Sequence, residues 1–466
     1  MLFNSFEFIF LFLPITFIIY FYLNKKRLTE FSKGFLLASS LFFYSWWKII
    51  YLPLILISML FNFTIGNALT KYNVQKWMQK KQLLLIGISG NVGLLGYFKY
   101  TDFFITNINI LFDWNRPLLH LALPLAISFF TFQQIAYLVD SYRGEAKEYN
   151  FLNYAVFVSF FPQLIAGPIV HHREMMPQFA NIKNKVINYK NIAVGLFIFS
   201  IGFFKKIVIA DTFAIWATNG FDKAEVLGFV EAWGTSLSYT LQLYFDFSGY
   251  ADMAIGTALL FNIKLPINFN SPYKATSIQD FWRRWHLTLS QFLKDYIYIP
   301  LGGKRDGDFK TYNNLMITFL IGGIWHGAGW TFVFWGFLHG LAIVVHRIWI
   351  HLGFKLGAIW GGITTFLFIN FTWVFFRAKE WEDAIKVLSG MLVLDNISFE
   401  SNIMCAYILI GLIIVFTFKN SIYYLHSKYE KKYFYITIYL FFFSILQLFN
   451  NILRDEKHSE FLYFNF

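Results

Sequence analysis

Only one cysteine, Cys405, occurs in 466 residues. It excludes an intrachain disulfide framework and a multi-cysteine metal site, and its apolar neighbours make it an expected buried small hydrophobe. Charge is also scarce, at 14% of residues against 57% hydrophobic, and the mean hydropathy is +0.50. A soluble domain of this size and composition would aggregate. The 27 acidic residues are outnumbered by 39 Lys and Arg, giving a formal charge of +12. Those cations sit in short clusters between hydrophobic segments instead of along one polar face, which is the positive-inside pattern of a membrane protein and not the footprint of a nucleic-acid binder. G-x-S-x-G, Walker A and H-E-x-x-H are missing as well, which removes the usual warrants for a serine hydrolase, a P-loop ATPase or a zinc protease. No metal site is expected: His171 and His172 are adjacent and would point in different directions on a helix.

What the chain has in abundance is apolar sequence. Runs of about 20 residues, each able to span a hydrocarbon core as a helix, recur from end to end. They lack the alternation of a barrel strand, so the fold class is an all-α polytopic membrane protein. The first run, Phe6 to Leu23, has no basic leader or small-residue cleavage site and precedes Lys25, Lys26 and Arg27. It reads as a retained span with the N-terminus outside. Residues 35–69 suit a hairpin broken near Trp46, Trp47 and Lys48, and further segments are expected at about 83–98, 118–138, 151–170, 191–210, 228–245, 313–325, 329–350, 357–376, 403–418 and 433–450. That makes 10–12 spans in a single membrane domain, 1–466, with no linker or repeat. The last basic loop, with Lys419, Lys428, Lys431 and Lys432, reads as cytoplasmic, so residues 452–466 form an extracytoplasmic tail.

Residues 246–303 stand apart. They carry Asp246, Asp252, Asp280, Arg283, Arg284, His286, Asp295 and Tyr296 among many aromatics. Ionisable groups at membrane depth are costly unless they face a cavity, a partner or the interface. Short or re-entrant helices lining a polar cavity are the expectation, punctuated by Pro266, Pro272, Pro300, Gly302 and Gly303. His286 lies in Phe281-Trp282-Arg283-Arg284-Trp285-His286, where Trp282, Trp285, Leu289 and Phe292 would form one apolar helical side. Arg283, Arg284 and the loop cations Lys304 and Arg305 would then either meet lipid phosphate or hold the phosphates of an anionic donor. His326 lies in Gly323-Ile324-Trp325-His326-Gly327. At a glycine-rich break between helices a desolvated imidazole stays neutral, as a general base requires. By itself it reads as a packing histidine that hydrogen-bonds across a helix interface, as do His339 and His346, seven residues apart on nearly one helical face. The chain ends Phe461-Leu462-Tyr463-Phe464-Asn465-Phe466. Such an aromatic end belongs in the headgroup layer or folded back into the protein.

Tyr244-Phe245-Asp246-Phe247-Ser248-Gly249-Tyr250-Ala251-Asp252, the Trp282 to His286 motif, Asp295-Tyr296-Ile297-Tyr298-Ile299-Pro300 and Trp325-His326-Gly327 occur in that order. Together they resemble the membrane-bound O-acyltransferase family, in particular its bacterial branch that O-acetylates alginate or peptidoglycan, with the D-alanyl exporter of teichoic-acid modification as a relative. The resemblance implies a ring of tilted transmembrane and re-entrant helices around a central pore. It also implies catalysis by His326, a second functional position at His286, and an acyl relay at Tyr463 within the aromatic tail.

The implied activity is an O-acetyltransferase of the bacterial inner membrane, both termini periplasmic, with no permanently bound cofactor. Acetyl-CoA would be the donor and a periplasmic serine-hydrolase-like (SGNH) protein the partner, with lipid around the chain and a cell-envelope polysaccharide, most simply peptidoglycan, as acceptor. Alginate or another exopolysaccharide is the alternative acceptor. A transporter or flippase with an intramembrane His and Asp path is the non-enzyme alternative.

Overall fold

The computed structural model describes residues 1–71, 79–148, 150–393, 402–426, 431–453 and 461–462, and among these the regular structure is helical throughout. The helices used below are α1 (Glu7–Lys25), α2 (Thr29–Ser45), α3 (Leu52–Thr70), α4 (Lys80–Phe112), α5 (Ile127–Arg143), α6 (Phe151–Ser159), α7 (Tyr189–Lys223) and α8 (Phe229–Leu260). They continue with α9 (Ile278–Trp282), α10 (Leu287–Leu293), α11 (Asp308–His326), α12 (Trp330–His351), α13 (Ala358–Arg377), α14 (Trp381–Gly390), α15 (Asn402–Thr417) and α16 (Lys431–Leu453). Seven of them, α1, α3, α4, α7, α12, α13 and α16, are long and apolar enough to cross a membrane. The protein is an all-α polytopic membrane protein.

The fold forms two compact units, one of Met1–Phe199 with Tyr250–Pro266 and one of Ser200–Gly249 with Ile267–Leu462. In the first, α1 packs on α2 and α3 packs on α4 and α5. Apolar burial gives no direction between helices in lipid, so buried polar pairs supply it. Asn62 and Asn91 exchange amide hydrogen bonds of 3.1 and 2.6 Å between α3 and α4. Gln134 donates to Ser58 at 3.0 Å and accepts from the Tyr154 hydroxyl at 3.2 Å.

In the second unit α11 and α12 form the closest hairpin. A Cβ on Gly323 would lie 2.4 Å from the Phe332 carbonyl oxygen, and one on Gly336 2.5 Å from that of Phe319. The two backbones therefore touch, and α13 packs on α12.

Several boundaries differ from those read in the sequence. The hairpin of residues 35–69 breaks where expected, between Ser45 and Leu52. The span placed at 118–138 begins only at Ile127, because Pro117 and Pro124 hold the preceding residues out of helix. The span at 151–170 is split at Phe160 just before Pro162. Helix α8 does not stop at Asp246 but runs on through Asp252 to Leu260, and the broken stretch starts only after it. Asp246 needs no break because an opposite charge is buried against it, as described below. Cys405 is exposed on α15 and not buried.

Candidate active site

His326 is the last residue of α11, four residues before α12 begins. The chain leaves the helix there because Gly327 turns to an extended conformation in a place too tight for a side chain: a Cβ would meet the Phe332 ring at 2.1 Å. The imidazole is 2% exposed. Trp325, Trp335 and Phe376 surround it at centroid distances of 4.8, 5.1 and 4.9 Å, with interplanar angles of 65°, 85° and 72°. Such edge-on rings set the orientation of the imidazole and exclude water from its faces. The site lies at the helix break that the glycines suggested.

Trp325 also meets a second histidine, His286, at 6.3 Å. The stretch around His286 is not one amphipathic helix. It is two helices, α9 and α10, broken at His286, whose φ of 42° lies in the left-handed region. A non-glycine residue pays about 1–2 kcal/mol for that conformation. Asn268 holds it there, with Oδ1 accepting from the Thr288 N–H at 3.3 Å and the Thr288 hydroxyl at 3.0 Å. Since an N–H only donates, the atom of Asn268 facing it is oxygen, so His286 Nδ1, 3.1 Å from that oxygen, carries the proton and Nε2 is the basic nitrogen. Complete burial, outside the seven spans, pushes the His286 pKa down to about 3. Despite the break, Trp282, Trp285, Leu289 and Phe292 are all buried and Arg283 and Lys294 exposed, the two faces the sequence suggested.

His339 is a packing histidine. Its Nδ1 accepts from the Trp282 indole N–H at 3.2 Å, and its Nε2 donates to the Thr372 hydroxyl at 3.1 Å, whose own proton goes to the Ile369 carbonyl at 2.9 Å. The ring is therefore neutral and ties α9, α12 and α13 together.

A third feature escaped the sequence reading. Lys206, in the middle of α7, is 1% exposed, and its Nζ lies 2.7 Å from Asp246 Oδ1 and 2.9 Å from Asp211 Oδ1. Where α7 and α8 meet, a Cβ on Gly249 would be 2.8 Å from the Gly202 carbonyl oxygen, so the helices approach closely enough to pair these side chains. A charged residue inside an apolar run was the available signal. The other Asp246 oxygen accepts from the Leu462 backbone N–H at 3.0 Å, and the Phe461 ring is 1% exposed with its centroid 4.8 Å from Lys206 Nζ. Phe461 thus folds back into the protein instead of lying in the headgroup layer. Tyr463 lies outside the described residues.

The remaining candidates are scattered. Asp252 is buried in the first unit. Asp295 accepts from Gln291 at 2.5 Å, and the Tyr296 ring lies tilted against Phe292 at 4.8 Å. Arg284 is paired with Asp280 at 2.9 Å, Arg283 is exposed, and Lys304 and Arg305 are exposed in a turn where Gly302 and Gly303 have φ of 110° and 59°. Among the described residues no group of three or more His, Cys, Asp or Glu is placed to hold a metal ion.

Membrane-crossing helices and a dry, aromatic-walled histidine at a helix end define a polytopic membrane protein with a buried imidazole centre. The chain belongs to the membrane-bound O-acyltransferase (MBOAT) family, whose profile matches residues 34–376 and so includes His286 and His326; it is an acyltransferase. It is 55% identical over 428 residues to a peptidoglycan O-acetyltransferase of Helicobacter pylori, covering 85% of this chain and 81% of that protein. It is 39% identical over 398 residues to a probable alginate O-acetylase of Pseudomonas aeruginosa, covering 84% and 75%. A teichoic acid D-alanyltransferase of Streptococcus thermophilus is 29% identical over 240 residues, covering 48% and 57%.

Proposed function

We propose that this chain is an O-acetyltransferase of the bacterial inner membrane. It takes acetyl from cytoplasmic acetyl-CoA and delivers it to a periplasmic SGNH-type partner for O-acetylation of peptidoglycan, with both termini on the periplasmic side. The observation that carries the reading is His326 at the end of α11, screened from water by Trp325, Trp335 and Phe376. The likeness to the H. pylori enzyme favours acetyl as the group and peptidoglycan as the acceptor.

In this mechanism His326 removes the hydroxyl proton of Tyr463 as its oxygen attacks the thioester carbonyl. The C–S bond breaks, the imidazolium returns the proton to the departing thiolate, and CoA leaves as a thiol. The product is an aryl ester, activated enough to pass acetyl to the partner's serine hydroxyl without another energy source. His286, kept neutral and with Nε2 basic, is the second functional position, reaching His326 through Trp325. The exposed Lys304, Arg305 and Arg283, with Arg284, serve the phosphates of the donor; Asp295 and Tyr296, on the same stretch of chain, line the polar path.

Purified protein in lipid nanodiscs, supplied with labelled acetyl-CoA, the partner and either peptidoglycan or alginate fragments, tests this. Label is expected on peptidoglycan fragments. Transfer to alginate alone would shift the reading to exopolysaccharide modification, and no transfer to protein or either polymer would refute acetyl transfer.

A further inference from the structure

Lys206 and Asp246 sit on neighbouring helices of one unit, each 1% exposed. Burying an ion pair at membrane depth carries a heavy desolvation penalty, and a well-packed neutral pair would join the helices at least as well. Charges kept in such a place call for a ligand, and the structure holds one. Asp246 divides its oxygens, Oδ1 to the Lys206 ammonium and Oδ2 to the Leu462 backbone N–H. Lys206 in turn faces the ring of Phe461 at 4.8 Å, within the range of a cation–π contact. The two contacts divide recognition between them. The amide bond holds the backbone at 462 whatever its side chain, while the cation selects an aromatic ring at 461. Phe461 is thereby buried to 1% exposure although it lies more than 200 residues from Asp246 in sequence.

We propose that the Lys206–Asp246 pair is the docking receptor for the chain's own C-terminal segment, fixing Phe461 and Leu462 so that the next residue, Tyr463, is presented for acyl transfer. This rests on the reading of Tyr463 as acyl acceptor. Lys206 and Asp246 are positioning residues whose effect runs through the tail.

The test uses the full chain in nanodiscs with two separate readouts: hydrogen exchange of the amides in the last residues, and the rate at which Tyr463 becomes acetylated from acetyl-CoA, followed by peptide mass. Leu462→Pro deletes the donor N–H, and Phe461→Leu keeps apolar bulk but removes the ring; neither alters the helix bundle. Each is expected to speed tail exchange and slow Tyr463 acetylation by about 10-fold, with KM for acetyl-CoA unchanged. Phe461→Tyr, which keeps the ring, stays within about 2-fold of wild type. Lys206→Met combined with Asp246→Leu and Asp211→Asn removes the ammonium and both of its carboxylate partners together and is expected to release the tail in the same way without unfolding the protein. Tail exchange and Tyr463 acetylation both near wild type in Leu462→Pro and in the triple variant overturn the receptor. Tail release in these variants, with wild-type Tyr463 never acetylated, supports the receptor and overturns the acceptor reading instead.

Discussion

His339 has both ring nitrogens committed, to Trp282 and to Thr372. His339→Leu strands the indole N–H and is expected to cost about 1–3 kcal/mol of stability, read as a lower Tm, while kcat per folded molecule stays near wild type. His286 differs. Its folded pKa of about 3 lies below the ordinary 6.5, so its burial contributes stability that is fully present above pH 6.5 and is lost as pH falls from there toward 3. His286→Asn, which tolerates the left-handed backbone and cannot titrate, is expected to flatten the fall of Tm with acid; an unchanged slope would assign that fall to other groups. At this scale His326 and His286 were legible because short motifs surround them. The left-handed turn at His286 was not, since it depends on Asn268, 18 residues earlier. Lys206 was hidden for the opposite reason: two adjacent cations, Lys205 and Lys206, in a strongly apolar run leave the run reading as an ordinary span.

The α11–α12 hairpin carries His326 on glycines. In Gly323→Ala the new methyl lies 2.4 Å from a backbone oxygen, which cannot move aside as a side-chain tip would. The helices must separate, and the expected result is a loss of about 1–3 kcal/mol with acyl transfer impaired beyond what stability explains. Thermal melts beside single-turnover rates check it; wild-type values for both would mean that the crossing does not set the position of His326. Helix existence was largely readable from apolar runs. Ends were not, because they are decided by particular residues: prolines at 117, 124 and 162, and the buried Lys206 that lets α8 continue past Asp246.

For the molecule as a whole, hydropathy alone specified a polytopic helical membrane protein, because lipid leaves the backbone few alternatives. Charge distribution added little about chemistry, and the family was legible only through four short motifs in order. What no pattern supplied is the pairing of distant segments, Lys206 with Asp246 and both with residues 461–462. The central claim is that His326 is the base of an acetyl transfer. Its most direct test is the single-turnover acetylation of full-length protein by acetyl-CoA, comparing wild type with His326→Ala in the same nanodiscs. Loss of a general base predicts a fall of about 10²–10⁴-fold with the fold retained, whereas transfer at the wild-type rate in His326→Ala would contradict the account.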